Sequence, residues 1–178
     1  LGFAQGFQST FGGDSLDIGN SVQQTTDGGY IITGSTGSYG NGDSDVYLLK
    51  TDANGDSLWA KTFGGANEDF GSSLELTLDS GYIIVGRTTY GNLDKDVYLI
   101  KTDANGDSLW TKTYGGSSVD FGLFVEQTSD GGYIITGTTE SFGNGGRDIY
   151  LIKTDANGDS LWTKTFGGVV FDVGNCVQ

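Results

Sequence analysis

KTDANGDSLW, Lys50 to Trp59, is the stretch on which the fold turns. It returns unchanged at Lys101–Trp110 and Lys153–Trp162, at steps of 51 and 52 residues, so the chain is a tandem array. Each copy reads as the end of one strand, a tight turn and the start of the next. VYLLKT before the turn and SLWAKTF after it are apolar and β-branched enough for strands. Asp52-Ala53-Asn54-Gly55 supplies the turn: Asp accepts backbone N–H groups at the first position, and Asn and Gly tolerate the left-handed conformation that closes a hairpin.

Working outward, Tyr30, Tyr82 and Tyr133 mark a repeat of about fifty residues, a period typical of propellers and solenoids. Four strands fit each copy. In the first, SVQQT is strand a, the Asp27-Gly28-Gly29 turn leads into strand b (YIITGST), a longer loop through Tyr39 to Gly42 reaches strand c (DVYLLKT), and DANG turns the chain into strand d (SLWAKTF). The one-residue deletion between copies falls in the b–c loop and is expected to spare every strand. YII and VYLL are apolar at consecutive positions, so both faces of strands b and c need cover. Trp59 and Phe63 share one face of strand d, and the Trp is expected to pack between adjacent sheets.

The expected fold is therefore all-β, a β-propeller of four-stranded antiparallel blades of 51–52 residues, with three full blades at approximately 19–64, 71–115 and 122–167. FQSTFGG near the start aligns with WAKTFGG, which predicts a lone strand d over 6–12. GNCVQ at the end aligns with GNSVQ, which predicts a lone strand a over 174–178. Three blades are fewer than the roughly four to eight that close a ring. The reading is thus of a partial propeller, its ring completed by other blades of a longer chain or by a second copy.

Composition narrows the function. The chain has 178 residues with 32 Gly, no Pro, no Met and no His, and its formal charge is −14. Such an acidic chain repels nucleic acid and anionic membranes, and no apolar run reaches transmembrane length. Without His there is no Ser-His-Asp or Cys-His machinery. One Cys makes neither a disulfide framework nor a zinc site. Cys176 occupies the position of Ser21, Ser73 and Phe124, and is expected to be a small core residue. Asp and Glu are plentiful, but most Asp recur at equivalent turn positions, whereas a hydrolytic carboxylate pair needs an asymmetric set. The GG pairs lie in β context and precede no helix, so no phosphate loop is present. The chain reads as no enzyme and needs no cofactor.

Two acidic sets remain. Asp52, Asn54 and Asp56 resemble a calcium loop superficially, but D-x-N-G-D places Gly one position early and lacks the distant Glu, so the hairpin turn is preferred over metal. Asp17, Asp69, Asp120 and Asp172 occupy one position in the d–a loop, at the same end of the blades as Tyr39, Tyr90 and Phe142 in the b–c loops. Carboxylates beside aromatics suit a sugar, or a sugar held through calcium. The competing structural reading is that each Asp bonds backbone N–H groups of the neighbouring blade and fixes blade spacing.

The pattern TFGG…VQQT-DGGYIITG-T…DVYLIKTDANGDSLWTK resembles the secreted bacterial β-propeller repeats of the SBBP type, over Phe7 to Gln178. The resemblance implies a secreted or cell-surface bacterial module with a structural, adhesive or protein-interaction role. LGFAQ at the start fits the remainder of a cleaved signal peptide. The alternative is a propeller that binds glycan or calcium on the d–a and b–c loop face.

Overall fold

The computed structural model of the chain describes residues 8–90 and 94–177, the side chain of Tyr90 excepted. Twelve strands form three four-stranded antiparallel sheets, each a simple meander. The first holds β1 (Asp17–Gln24), β2 (Tyr30–Thr36), β3 (Asp45–Thr51) and β4 (Ser57–Phe63). The second holds β5 (Phe70–Leu76), β6 (Tyr82–Tyr90), β7 (Asp94–Thr102) and β8 (Ser108–Tyr114). The third holds β9 (Asp120–Gln127), β10 (Tyr133–Thr139), β11 (Asp148–Thr154) and β12 (Ser160–Phe166). The described residues contain no helix. The architecture is all-β and repeats as blades do.

The DANG turns follow from their chemistry. Asp52 Oδ1 accepts the N–H groups of Asn54 (2.8 Å) and Asp56 (2.9 Å), and the same pattern recurs at Asp103 and Asp155. Only the glycine takes a positive φ, +82° at Gly55, so the Asn is not needed for left-handed backbone. At the a–b turn, Gly28 and Gly131 have φ of +83°, but the second copy places Ser80 there at +68°, a conformation that costs an L-residue roughly 1–2 kcal/mol.

The lysine that opens each decapeptide sits mid-sheet and is nearly buried. Lys50 Nζ reaches Asp27 at 2.9 Å and Thr51 O at 2.9 Å; Lys101 pairs with Asp79 at 2.8 Å, and Lys153 with Asp130 at 2.9 Å. Each pair ties the start of the c–d turn to the a–b turn. Burial opposes ionisation of Asp79, but Lys101, Thr77 and the Gly81 N–H together outweigh it and hold its pKa down to about 2.

The sheets stack face on face. Ile31, Val46 and Leu48 of the first meet Leu74, Tyr82, Ile84 and Ile100 of the second, with Trp59 and Phe63 packed at the margin. One layer on, Ile83, Val85, Val97 and Leu99 meet Val125, Tyr133, Ile135, Tyr150 and Ile152, flanked by Trp110 and Tyr114. Trp59 lies 6.2 Å from the ring of Tyr82 and Trp110 lies 5.9 Å from that of Tyr133. Their six-membered rings rest on the turn glycine of the next sheet, where a Cβ on Gly106 or Gly158 would come within 2.6 or 2.7 Å. Lys61 and Lys112 reach across the same joints to Asp107 and Asp159, each at 2.7 Å. First strands of adjacent sheets also lie side by side. The Gln23 amide donates to Leu74 O and accepts from Leu76 N, both at 3.2 Å, and Asn20 donates to Gly71 O at 2.7 Å.

Three expectations change. The lone strands over 6–12 and 174–178 are not strands among the described residues: 8–12 and 174–177 belong to no ladder, and Gly6, Phe7 and Gln178 lie outside the description. A d strand pairs only with its c strand and an a strand only with its b strand, and neither partner accompanies them. Gly174 nonetheless approaches Thr136 and Ile149 as Gly71 approaches Thr33 and Val46, so it marks the place of a following strand a. Cys176 is exposed rather than in a core, because none of the described sheets covers it. The shorter b–c loop does not spare the strands: β6 and β7 extend to the pair Tyr90↔Asp94. In the other copies Thr36 and Thr139 instead accept loop N–H groups and end the ladder.

Trp110→Ala is expected to cost about 2–4 kcal/mol, less than a fully buried Trp because the ring is only half covered. Trp162→Ala, at the uncovered face, is expected to cost under about 1 kcal/mol in dilute protein. Denaturant titrations of the two variants check the contrast. Ser80→Gly is expected to stabilise by about 0.5–1 kcal/mol in the same assay, since the strained φ is relieved.

Candidate functional site

The d–a and b–c loops emerge at one end of the stack and interlock. Tyr39 donates its hydroxyl to Gly12 O (2.9 Å), Ser15 N donates to Ser38 Oγ (2.9 Å), and Ser118 N to Ser141 Oγ (3.1 Å). The four sequence-singled aspartates stand at this end, each closing its own d–a loop. Asp17 Oδ2 accepts Gly13 N at 2.9 Å, Asp69 accepts Gly65 N at 2.8 Å, Asp120 accepts Gly116 N at 3.0 Å, and Asp172 accepts Gly168 N at 2.9 Å. Ser38 and Ser141 hydroxyls add bonds to Asp17 and Asp120, at 2.7 and 2.6 Å. The N–H groups thus belong to the linker four residues back. It is the main chain that bonds the preceding sheet, through Asp69 N to Ser44 O and Asp172 N to Arg147 O, both 2.7 Å.

The aromatic partners split. Tyr39 stacks on Tyr47 (6.0 Å between centroids), Phe142 lies tilted at 43° to Tyr150 (5.6 Å), and each leaves nearly half of its surface in water. The side chain of Tyr90 lies outside the described residues. Asp69 and Asp120 are buried, so a ligand at this end would meet Tyr39, Phe142 and the half-exposed Asp17 and Asp172 before it met them.

A second set of carboxylates was missed from sequence. Asp45 and Asp148 begin their c strands and Asp96 holds the same repeat position within β7; Asp45 and Asp148 close their b–c loops by accepting Asn41 N (2.9 Å) and Asn144 N (2.8 Å). Each faces an aspartate of the next d–a loop across one glycine. A Cβ on Gly64 would lie 2.3 Å from Asp45 Oδ1 and 2.4 Å from Asp69 Oδ2. The corresponding distances are 1.9 and 2.7 Å at Gly115 for Asp96 and Asp120, and 1.9 and 2.8 Å at Gly167 for Asp148 and Asp172. Only glycine fits there. The signal lay in the recurrence of Asp at the head of DVYL and DIYL, but a pairing across sheets needs the stacking register.

Two buried carboxylates side by side resist ionisation. Burial, with the charges of Asp120 and Asp94, pushes Asp96 up to about 6. Burial raises Asp69 above its ordinary value, with Asp45 adding to the effect. Asp17, which has no such partner, is lowered, first by the Thr36 hydroxyl. Among the described residues no three Asp, Glu or Cys side chains converge to hold a metal ion. The DANGD aspartates are used otherwise, Asp52 within its turn and Asp107 and Asp159 in ion pairs across the sheets.

Basic groups are few here but ordered. The Arg87 guanidinium lies 4.0 Å from the Phe70 centroid and 4.9 Å from that of Phe121; Arg147 lies 5.1 Å from Phe121 and 5.8 Å from Phe171. This ladder crosses from the second sheet to the third and past it, a cation–π alignment worth about 0.5–2 kcal/mol per contact.

No family model matches the chain. It is 30% identical over 176 residues to the regulatory protein FlaEY of Caulobacter vibrioides, an alignment that covers 83% of this chain and 18% of that protein. The chain therefore spans less than a fifth of the relative's length. A protein of unknown function from Bacteroides caccae aligns in structure over 83% of this chain and 67% of its own, with 11% identity and a TM-score of 0.30, a likeness too low to carry an argument.

The pKa of Asp96 sets a pH dependence. The folded value exceeds the unfolded one, so the folded state binds the proton more tightly, and stability falls as pH rises from about 4 to 6. Asp96→Asn is expected to flatten that slope and raise the melting temperature at pH 7, with less effect at pH 4. Below pH 4 the sign reverses: Asp79, with its lowered pKa, makes stability fall with pH toward 2. Thermal melts across pH 2–8 read both windows.

Proposed function

We propose that the chain is a non-enzymatic repeat module of a secreted or cell-surface bacterial protein, with a structural, adhesive or protein-interaction role. The observation that carries this is how the recurring polar groups are used. The d–a aspartates close their loops, the turn aspartates hold their hairpins, and the lysines tie turn to turn or sheet to sheet. What the loop end leaves in water includes two aromatic rings, Tyr39 and Phe142, among polar residues such as Asp14, Asn41, Asp43 and Asn144, a mixture that suits contact with another macromolecule better than chemistry. The resemblance to SBBP-type repeats supports the extracellular placement.

The same two rings favour one second reading, a glycan platform. Tyr39 is stacked on Tyr47, Phe142 leans on Tyr150, and both keep nearly half of their surface exposed, which suits stacking against a pyranose face. Calcium enters only as an aid to that reading.

A glycan array, with and without chelator, tests the proposal with wild type and a Tyr39→Ala/Phe142→Ala variant. The expected outcome is no glycan retained by wild type above the variant, and a melting temperature unmoved by millimolar calcium or by chelator. A ligand of the folded state at a hundred times its dissociation constant would add about 2.7 kcal/mol, an unmistakable shift. Glycan retention lost in the double variant would replace the first reading with the second.

A further inference from the structure

Two positions of the repeat bring cations to the joints between sheets. One holds Ser35, Arg87 and Thr138 in the successive copies, and the other holds Ser44, Lys95 and Arg147. Phe121 of β9 draws on both positions. Arg147 of its own sheet lies 5.1 Å from the ring centroid, and Arg87 of the sheet before lies 4.9 Å from it. Phe70 holds the same place on β5, with Arg87 of its own sheet at 4.0 Å. The sheet before it offers Ser35 and Ser44 instead, so its second guanidinium is missing among the described residues.

A cavity of about 250 Å³ opens at this joint, lined among others by Ser35, Gly37, Asp43, Ser44, Glu68 and Phe70. It is smaller than the roughly 300–1,000 Å³ of drug-sized sites, on the scale of one long side chain. Its walls come from the first and second sheets, both in place, so it belongs to an internal joint and to neither end face. Ser35 is 2% exposed, and its hydroxyl bonds to no group among the described residues. A buried hydroxyl of this kind calls for a ligand that carries donors. The charges agree: Asp43 and Glu68 bring two carboxylates to the cavity, and no cation lines it. Glu68 also meets Lys95, at 3.4 Å and half in water. Such a pair is worth about 0–1 kcal/mol and does not prevent contact with a second cation.

We propose that this cavity receives an arginine side chain from a basic partner protein. The guanidinium lies against Phe70, donates to Ser35 Oγ and pairs with Asp43 and Glu68, taking at the first joint the place that Arg87 takes at the second. That Phe121 serves two guanidiniums shows that Arg87 beside Phe70 is no bar to another. Arginine suits the site better than lysine, because a planar guanidinium both stacks on a ring and presents several N–H donors. The formal charge of −14 draws a basic partner toward the chain. The inference rests on the interaction-module reading and gives its partner a chemistry.

A two-dimensional NMR titration of the whole chain with the acetylated, amidated tripeptide Gly-Arg-Gly tests it. The amides of Ser35, Ser44 and Phe70 are expected to shift and saturate with a Kd on the order of 1 mM. The same tripeptide with citrulline, equal in shape but uncharged, is expected to give no saturable shift. Phe70→Leu is expected to weaken binding about threefold or more. Ser35→Arg fills the cavity from within and is expected to abolish binding; Ser44→Arg, at a half-buried position, does the same where the first variant fails to fold. Free arginine, which adds a carboxylate of its own to an acidic cavity, is expected to bind more weakly than the tripeptide. The Tyr39→Ala/Phe142→Ala variant is expected to bind the tripeptide as wild type does, so a positive glycan array leaves the arginine site standing, and a failed titration leaves the interaction reading standing. Absence of saturable shifts, equal binding of the citrulline tripeptide, free arginine binding as tightly as the tripeptide, or binding retained in either folded arginine variant would overturn the proposal.

Discussion

Everything in this fold depends on one constraint: a sheet whose two faces are both apolar has to be covered twice. The second sheet meets it in full, with Ile83, Val97 and Leu99 buried on one side and Tyr82, Ile84 and Ile100 on the other. Face-to-face stacking does this for the second sheet and covers one face of each of the other two. It also explains where the lysines lie. Lys50 and Lys101 are covered by the next sheet, and a buried ammonium needs a carboxylate within reach, which the a–b turn supplies. The same constraint leaves Trp162, Phe166 and Val22 in water at the ends.

The polar loop end obeys a related rule. Each d–a loop must leave one sheet and enter the next, so its backbone groups would go unpaired without local acceptors. An aspartate at the head of each sheet supplies one, and Asp45 and Asp148, at the heads of their c strands, do the same for the b–c loops of the first and third sheets. Bringing the loops together brings the carboxylates together, and the raised pKa of Asp96 is the electrostatic consequence. Asp69 and Asp120 are buried and so form no open acidic platform, and the loop end exposes Tyr39 and Phe142 beside the half-buried Asp17 and Asp172.

Strand order and turns were legible in the sequence because they depend on neighbours along the chain. DANG, DGG and the YII and VYLL runs each declare their conformation within a few residues. The common position of Asp17, Asp69, Asp120 and Asp172 was legible for the same reason. Contacts across sheets were not. Asp45 and Asp69 are separated by a hairpin and a linker, and Lys61 and Asp107 by most of a repeat; which residues meet depends on the stacking offset, which no local pattern encodes. The end segments misled for a converse reason. FQSTFGG and GNCVQ have the residues of strands, but a strand exists only with a partner to bond.

Identity among the three decapeptides carries a hazard for a chain that has not yet folded. A hairpin built on Lys101–Trp110 presents the same side chains as those built on Lys50 and Lys153, so strands of different copies could be exchanged without penalty in local energy. The places where the copies disagree remove that degeneracy. Gln23 both donates to and accepts from the strand beside it, whereas Glu75, at the same position, accepts from Gln127 N. Arg87 stacks between two phenylalanines where the other copies have Ser35 and Thr138. The longer β6–β7 ladder fits only the middle copy. These irregularities serve as addresses, and making the three copies identical would raise the share of misassembled chains even as it removed the strain at Ser80.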